Sequence, residues 1–134
     1  MISCGSQSAP EDEIRALVDL AEIAAEERDV SALRAFIADD YADPQGRNAA
    51  DVRTYLHGYL VAHPSIRLLT RIDSIELEGK ELARVAVTVG MLGREAGADA
   101  DWDLAGDIYR LDLQLAREDD GEWRVIRAGT QATN

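Results

Sequence analysis

With one cysteine, Cys4, the 134-residue chain holds no internal disulfide. Its two histidines, His57 and His63, stand six positions apart, the wrong spacing for one helix face, so no metal site is expected. Asp99-Ala100-Asp101-Trp102-Asp103 imitates the start of a calcium loop. Leu104 stands where the sharp-turn glycine belongs and Arg110 where the bidentate glutamate belongs, and calcium is set aside too. There is no glycine-rich phosphate loop and no Ser/His/Asp set, and no cofactor is expected. No apolar run approaches the ~18 residues that a membrane helix needs. Positive charge is also scarce. Fourteen basic residues face 26 acidic ones, a net charge of −12, and the arginines are scattered singly. Such a surface repels phosphate backbones, which excludes nucleic acid as a partner. One phenylalanine, two tryptophans and four tyrosines are too few for a base-stacking platform.

What is present is one domain's worth of patterned chain. Ser8-Ala9-Pro10-Glu11 reads as a capping box opening a helix over about 9–28. Ile14, Leu17, Val18, Ala21 and Ala25 form its apolar stripe, with Glu13, Arg15, Glu22 and Glu26 opposite. Asp29 caps a second helix that the pattern carries to Asp39-Asp40. Asn48 caps a third, whose stripe is Val52, Tyr55, Leu56, Tyr59 and Leu60, and Pro64 stops it. The period then falls from 3.6 to 2. Ile66, Leu68, Thr70 and Ile72 alternate with charges, and the phase slips near Asp73-Ser74, as at a bulge. Glu78-Gly79-Lys80 turns the chain into a strand with Val85, Val87, Val89 and Met91 on one face and Arg84, Ala86, Thr88 and Gly90 on the other. A polar loop over about 93–103 precedes a strand through Asp107, Tyr109, Leu111, Leu113 and Leu115. After the Glu118–Gly121 turn, Trp123, Val125 and Arg127 belong to a last strand. The expected class is α+β: three N-terminal helices on the concave face of a curved, mostly antiparallel sheet, a cone with one pocket. The domain spans 9–131 and residues 1–8 form a flexible tail.

Three stretches carry a resemblance: Asp29-Val30-Ser31-Ala32-Leu33-Arg34-Ala35-Phe36, then Ala38-Asp39-Asp40-Tyr41 with Asp43-Pro44-Gln45-Gly46, then Gly121-Glu122-Trp123-Arg124-Val125. With the order of elements, the chain from about 9 to 130 resembles the nuclear transport factor 2-like (cystatin-like) superfamily, a cone that hosts enzymes and plain binding domains alike. Locally it is similar to ketosteroid isomerase. That resemblance implies a general base at Asp43 and a protonated oxyanion donor at Asp107, the pair of tuned carboxylates for which this enzyme serves as a worked case. The helix-1 tyrosine of that family has no counterpart, since the position falls near Ala21. Losing one oxyanion donor typically costs ~10²–10³ in rate.

Asp43 also has a plain structural reading, because Asp at i, Pro at i+1 and Gly at i+3 is the preferred composition of a type I turn. On that reading its backbone meets water and its carboxylate accepts from the turn's own amides, which favours ionisation. Asp107, on the apolar parity of its strand, is then the carboxylate with the raised pKa. Tyr41, Tyr55, Trp102 and Tyr109 are the candidate ligand-binding side chains. The function that follows is a non-catalytic domain binding a small apolar molecule or a partner. The alternative is a small isomerase or lyase with Asp43 or Asp107 as base. The two faces of the Val85–Met91 strand suggest a homodimer through the outer sheet face, as the resemblance also implies. Ile2-Ser3-Cys4-Gly5-Ser6 resembles the end of a bacterial lipoprotein signal, which would make Cys4 a lipid attachment site at the periplasmic membrane. With Met1 as the start, the expectation is a cytoplasmic protein with a thiol at Cys4.

Overall fold

A computed structural model describes residues 9–62, 65–94 and 107–132, and at 65–66, 91–94, 107 and 131–132 the backbone alone. Helices α1 (Pro10–Glu26), α2 (Val30–Ala35) and α3 (Ala49–Ala62) precede strands β1 (Ser65–Glu78), β2 (Leu82–Arg94), β3 (Asp107–Arg117) and β4 (Trp123–Ala132). The strands form one antiparallel sheet in the order β1-β2-β3-β4. Pro10 opens α1, but the N-cap is Ala9, whose side chain offers no capping bond. Asn48 and Asp51 make a reciprocal cap at α3: the Asp51 amide donates to Asn48 Oδ1 at 2.9 Å, and the Asn48 amide to Asp51 Oδ2 at 3.0 Å.

The inner face of the sheet follows the alternation of the sequence. Val85, Val87 and Leu115 are buried there, with Ile14 of α1 and Trp123 and Val125 of β4. The register slips between Ile72 and Ser74, where the phase break predicts it, and this returns Ile75 to the core side opposite Val85. Gly79 and Gly121 sit in the β1–β2 and β3–β4 turns at φ of 71° and 83°, backbone that favours glycine.

Two features depart from the sequence pattern for one reason. Helix α2 stops at Ala35, because the chain beyond it pairs with the edge of β4. The Val125 amide donates to Phe36 O at 2.9 Å, the Ala38 amide to Val125 O at 3.0 Å, and the Ala42 amide to Ile126 O at 3.2 Å. Arg53 of α3 covers the end of α2, donating to Ile37 O at 2.8 Å and to Arg34 O at 3.3 Å. The same pairing accompanies a bulge at Ile126. Leu115 faces Val125, but Gln114 faces Arg127, so Arg127 turns to the outer face instead of sharing the side of Trp123.

The glutamates of α1 are a further correction. The helical pattern turns them to solvent, whereas three of them bind the sheet. Glu13 Oε1 accepts from Trp123 Nε1 at 3.0 Å and pairs with Arg117, whose guanidinium lies 5.4 Å from the Trp123 ring centre. Glu22 Oε1 accepts from the Thr70 hydroxyl at 2.9 Å, and Glu26 Oε2 from the Leu68 amide at 2.9 Å. Strand β1 is a sheet edge, and the Glu26 bond occupies one of its open donors.

Candidate functional site

The loop between α2 and α3 answers the question raised by Asp43-Pro44-Gln45-Gly46. The turn forms, with Gly46 at φ 82° and its amide donating to Asp43 O at 3.0 Å. The carboxylate is not turned to water, however: its side chain is 0% exposed. Four donors converge on it. The amides of Gln45 and Arg47 reach Oδ1 at 2.9 and 3.1 Å; the Tyr41 hydroxyl and Arg47 Nε reach Oδ2 at 2.9 and 2.8 Å. Burial pushes the Asp43 carboxyl up, and the bonds from the Arg47 amide, Tyr41, the Arg47 guanidinium and the Gln45 amide outweigh it. Asp43 is therefore held below its ordinary value, and ionised. The expectation of an ionised turn aspartate agrees with this. The expectation that it faces water does not, because pairing of 36–42 with β4 carries the turn under Tyr41 and against the sheet.

Tyr41 is buried with it, and burial, aided by the bond to Asp43, pushes the phenol from 10.0 up to about 12. Above pH 10.0 the unfolded chain releases this proton while the folded chain keeps it until about 12. Stability from Tyr41 is thus complete below pH 10.0 and is lost as pH rises through the folded value. Urea unfolding should show that Tyr41→Phe, though less stable near neutrality, loses less stability than the wild type across that window.

The apolar space lies elsewhere. A cavity of about 290 Å³ opens between α1, α3 and the inner sheet face, with Leu17, Phe36, Leu56, Val87 and Leu111 in its wall. This is at the lower edge of the ~300–1,000 Å³ of small-molecule sites. Ala21 lines it where the ketosteroid isomerase resemblance would place a tyrosine, and Asp43 does not line it. Among the described residues, the polar side chains in the wall are Glu22, Thr70 and Tyr59.

Of the ligand-binding candidates, Tyr41 is committed to Asp43, and Tyr55 is 60% exposed with its ring 6.2 Å from that of Tyr59. Tyr109 is half-buried on β3 and is not among the wall residues. Instead Tyr59, the next turn of the same α3 stripe, reaches the cavity. The side chain of Asp107, whose raised pKa the strand parity predicts, lies outside the described residues, as do Trp102 and Cys4. Sequence reasoning missed Glu22. Its signal is the line Val18, Glu22, Glu26 at i, i+4 spacing beside the apolar stripe, which aims two carboxylates along β1. A second hollow, about 470 Å³, lies over the outer sheet face among Arg84, Arg110, Arg127, Glu76 and Asp112. Among the described residues there is no cluster able to hold a metal ion.

No family model and no curated protein matches the chain. Solved structures do. A scytalone dehydratase-like protein of Novosphingobium aromaticivorans superposes with a TM-score of 0.80 at 15% identity, over 92% of this chain and 84% of that one. A ketosteroid isomerase-like protein of Erwinia carotovora atroseptica gives 0.71 at 14%, over 92% and 95%. A nuclear transport factor 2-like protein with a cystatin-like fold, also from Novosphingobium aromaticivorans, gives 0.69 at 18%, over 92% and 82%. At such identities what is shared is architecture, and the chain carries the nuclear transport factor 2-like, or cystatin-like, fold.

Proposed function

We propose that the protein is a non-catalytic binding domain whose ligand is a small, largely apolar molecule held between α1, α3 and the inner sheet face. One observation carries this: the 290 Å³ cavity has an apolar wall broken by few polar groups, the usual make-up of a small-molecule site. The neutral fluorophore N-phenyl-1-naphthylamine, whose emission rises in apolar surroundings, tests it. Saturable binding of one molecule per chain is expected; unsaturable or absent binding contradicts the reading.

The second reading, a small isomerase or lyase with Asp43 or Asp107 as base, draws on the ketosteroid isomerase-like and scytalone dehydratase-like proteins that share the fold. Against it stands Asp43, which is outside the cavity wall and already accepts four hydrogen bonds. A base needs a lone pair within reach of the substrate's proton. Deuterium exchange beside the carbonyl of a cyclic ketone, accelerated by the wild type and not by Asp43→Asn, would favour the enzyme.

Association through the outer sheet face belongs to the same proposal. The inner row Val85, Val87 and Val89 is consumed by the core, so the motive narrows to the outer surface. There Leu69 and Ile108, 67% and 56% exposed, flank Gly90 across three strands. Beside them Arg71, Arg84, Arg110 and Arg127 interleave with Asp73, Glu76 and Asp112, so this face escapes the acidity of the whole. Light scattering is expected to give twice the chain mass, and a monomer mass contradicts the dimer.

A further inference from the structure

The charge of the cavity wall says which head group an occupant can carry. Among the described residues, Glu22 is the only acidic side chain of that wall, and no lysine, arginine or histidine lines it. Thr70, also in the wall, donates a hydrogen bond from its hydroxyl to Glu22 Oε1 at 2.9 Å, which holds the carboxylate against β1. Glu26, one turn further on, has its Oε2 on the Leu68 amide and is not in the wall. Among the described residues, an apolar body lying against Leu17, Leu56 and Val87 would meet a single carboxylate, Glu22, and no cationic side chain.

We propose that the cavity takes an amphiphile whose head donates hydrogen bonds or bears a positive charge, an amine first and an alcohol second, and that it rejects the carboxylate of equal length. This rests on the reading of the cavity as a ligand site. Two terms act together. A head-group anion beside Glu22 is repelled in a partly desolvated space, where the attraction or repulsion of charges exceeds its value in water. It also finds no donor to replace its lost hydration, whereas an ammonium or hydroxyl finds an acceptor. The net charge of −12 works in the same direction over longer range, and salt screens that part much more strongly than the contact with Glu22.

The test is displacement of N-phenyl-1-naphthylamine by decylamine, decanol and decanoate at two salt concentrations. For the wild type, decylamine should compete at least tenfold better than decanoate, with decanol between them and the order kept at high salt. Glu22→Gln keeps an acceptor for Thr70, and circular dichroism checks its fold. In it the amine should lose about tenfold, decanol change little and decanoate gain. Equal competition by amine and carboxylate, or an amine advantage that survives Glu22→Gln or vanishes with salt alone, would overturn the proposal while leaving the cavity a ligand site. Failure of the neutral fluorophore to bind at all would overturn both.

Discussion

Asp43→Ala lowers the melting temperature by on the order of 10 °C at neutral pH, because it removes a buried carboxylate on which four donors converge. The Gln45 and Arg47 amides, Arg47 Nε and the Tyr41 hydroxyl all lose their common acceptor, and the Tyr41 hydroxyl is buried. Asp43→Asn falls between, since its Oδ1 still serves the two amides while its NH₂ opposes Arg47 Nε, donor against donor. The pH dependence separates this from a simple packing defect. A carboxylate whose folded pKa is lowered stabilises above its ordinary value, here 3.8, and the contribution is lost as pH falls below that value toward the folded one. The wild type therefore loses more stability than either variant on acidification from about pH 5 to about pH 3. Denaturant unfolding across that range checks the sign. An Asp43→Ala protein as stable as the wild type, with an unchanged acid limb, would mean the carboxylate is not the hub of the loop.

Ala21→Phe has the opposite signature: a large loss of binding at small cost to the fold. Inserting a ring into a filled core costs about 1–3 kcal/mol through forced rotamers and backbone shifts. Ala21 faces the 290 Å³ cavity, where a benzyl group finds space and buries apolar surface against the walls. The expected result is a melting temperature equal to or above that of the wild type, with affinity for N-phenyl-1-naphthylamine reduced at least tenfold. Unfolding of the variant, or unchanged affinity in a folded one, would count against the cavity as the site.

Local rules make much of this fold legible in the sequence. The Asn48 cap of α3, the Glu78-Gly79-Lys80 turn, the slip at Asp73-Ser74 and the parity of Val85 and Val87 all rest on neighbours within a few residues, and each is where the pattern puts it. What escaped depends on contacts distant in sequence. Helix α2 ends at Ala35, and Arg127 turns outward, because 36–42 pairs with a strand more than 80 residues away. Asp43 is legible as a turn residue but not as a buried one, since the same pairing, unseen in a local pattern, carries it under Tyr41. The α3 stripe names Tyr55 and Tyr59 alike, and the tertiary packing, which a local pattern does not contain, brings Tyr59 to the cavity and leaves Tyr55 60% exposed. Glu22 was hidden by a sound rule: a glutamate beside an apolar stripe normally points to water, and here the edge of β1 lies within its reach.

The most direct test is to locate the bound probe. In methyl-resolved NMR spectra of the complex with N-phenyl-1-naphthylamine, intermolecular contacts should fall on Leu17, Leu56, Val87 and Leu111, the inner wall beneath α1 and α3. The same spectra should leave Ala86, at the outer-face hollow, unmoved. Contacts confined to that outer hollow, or no saturable contacts at all, would contradict the account.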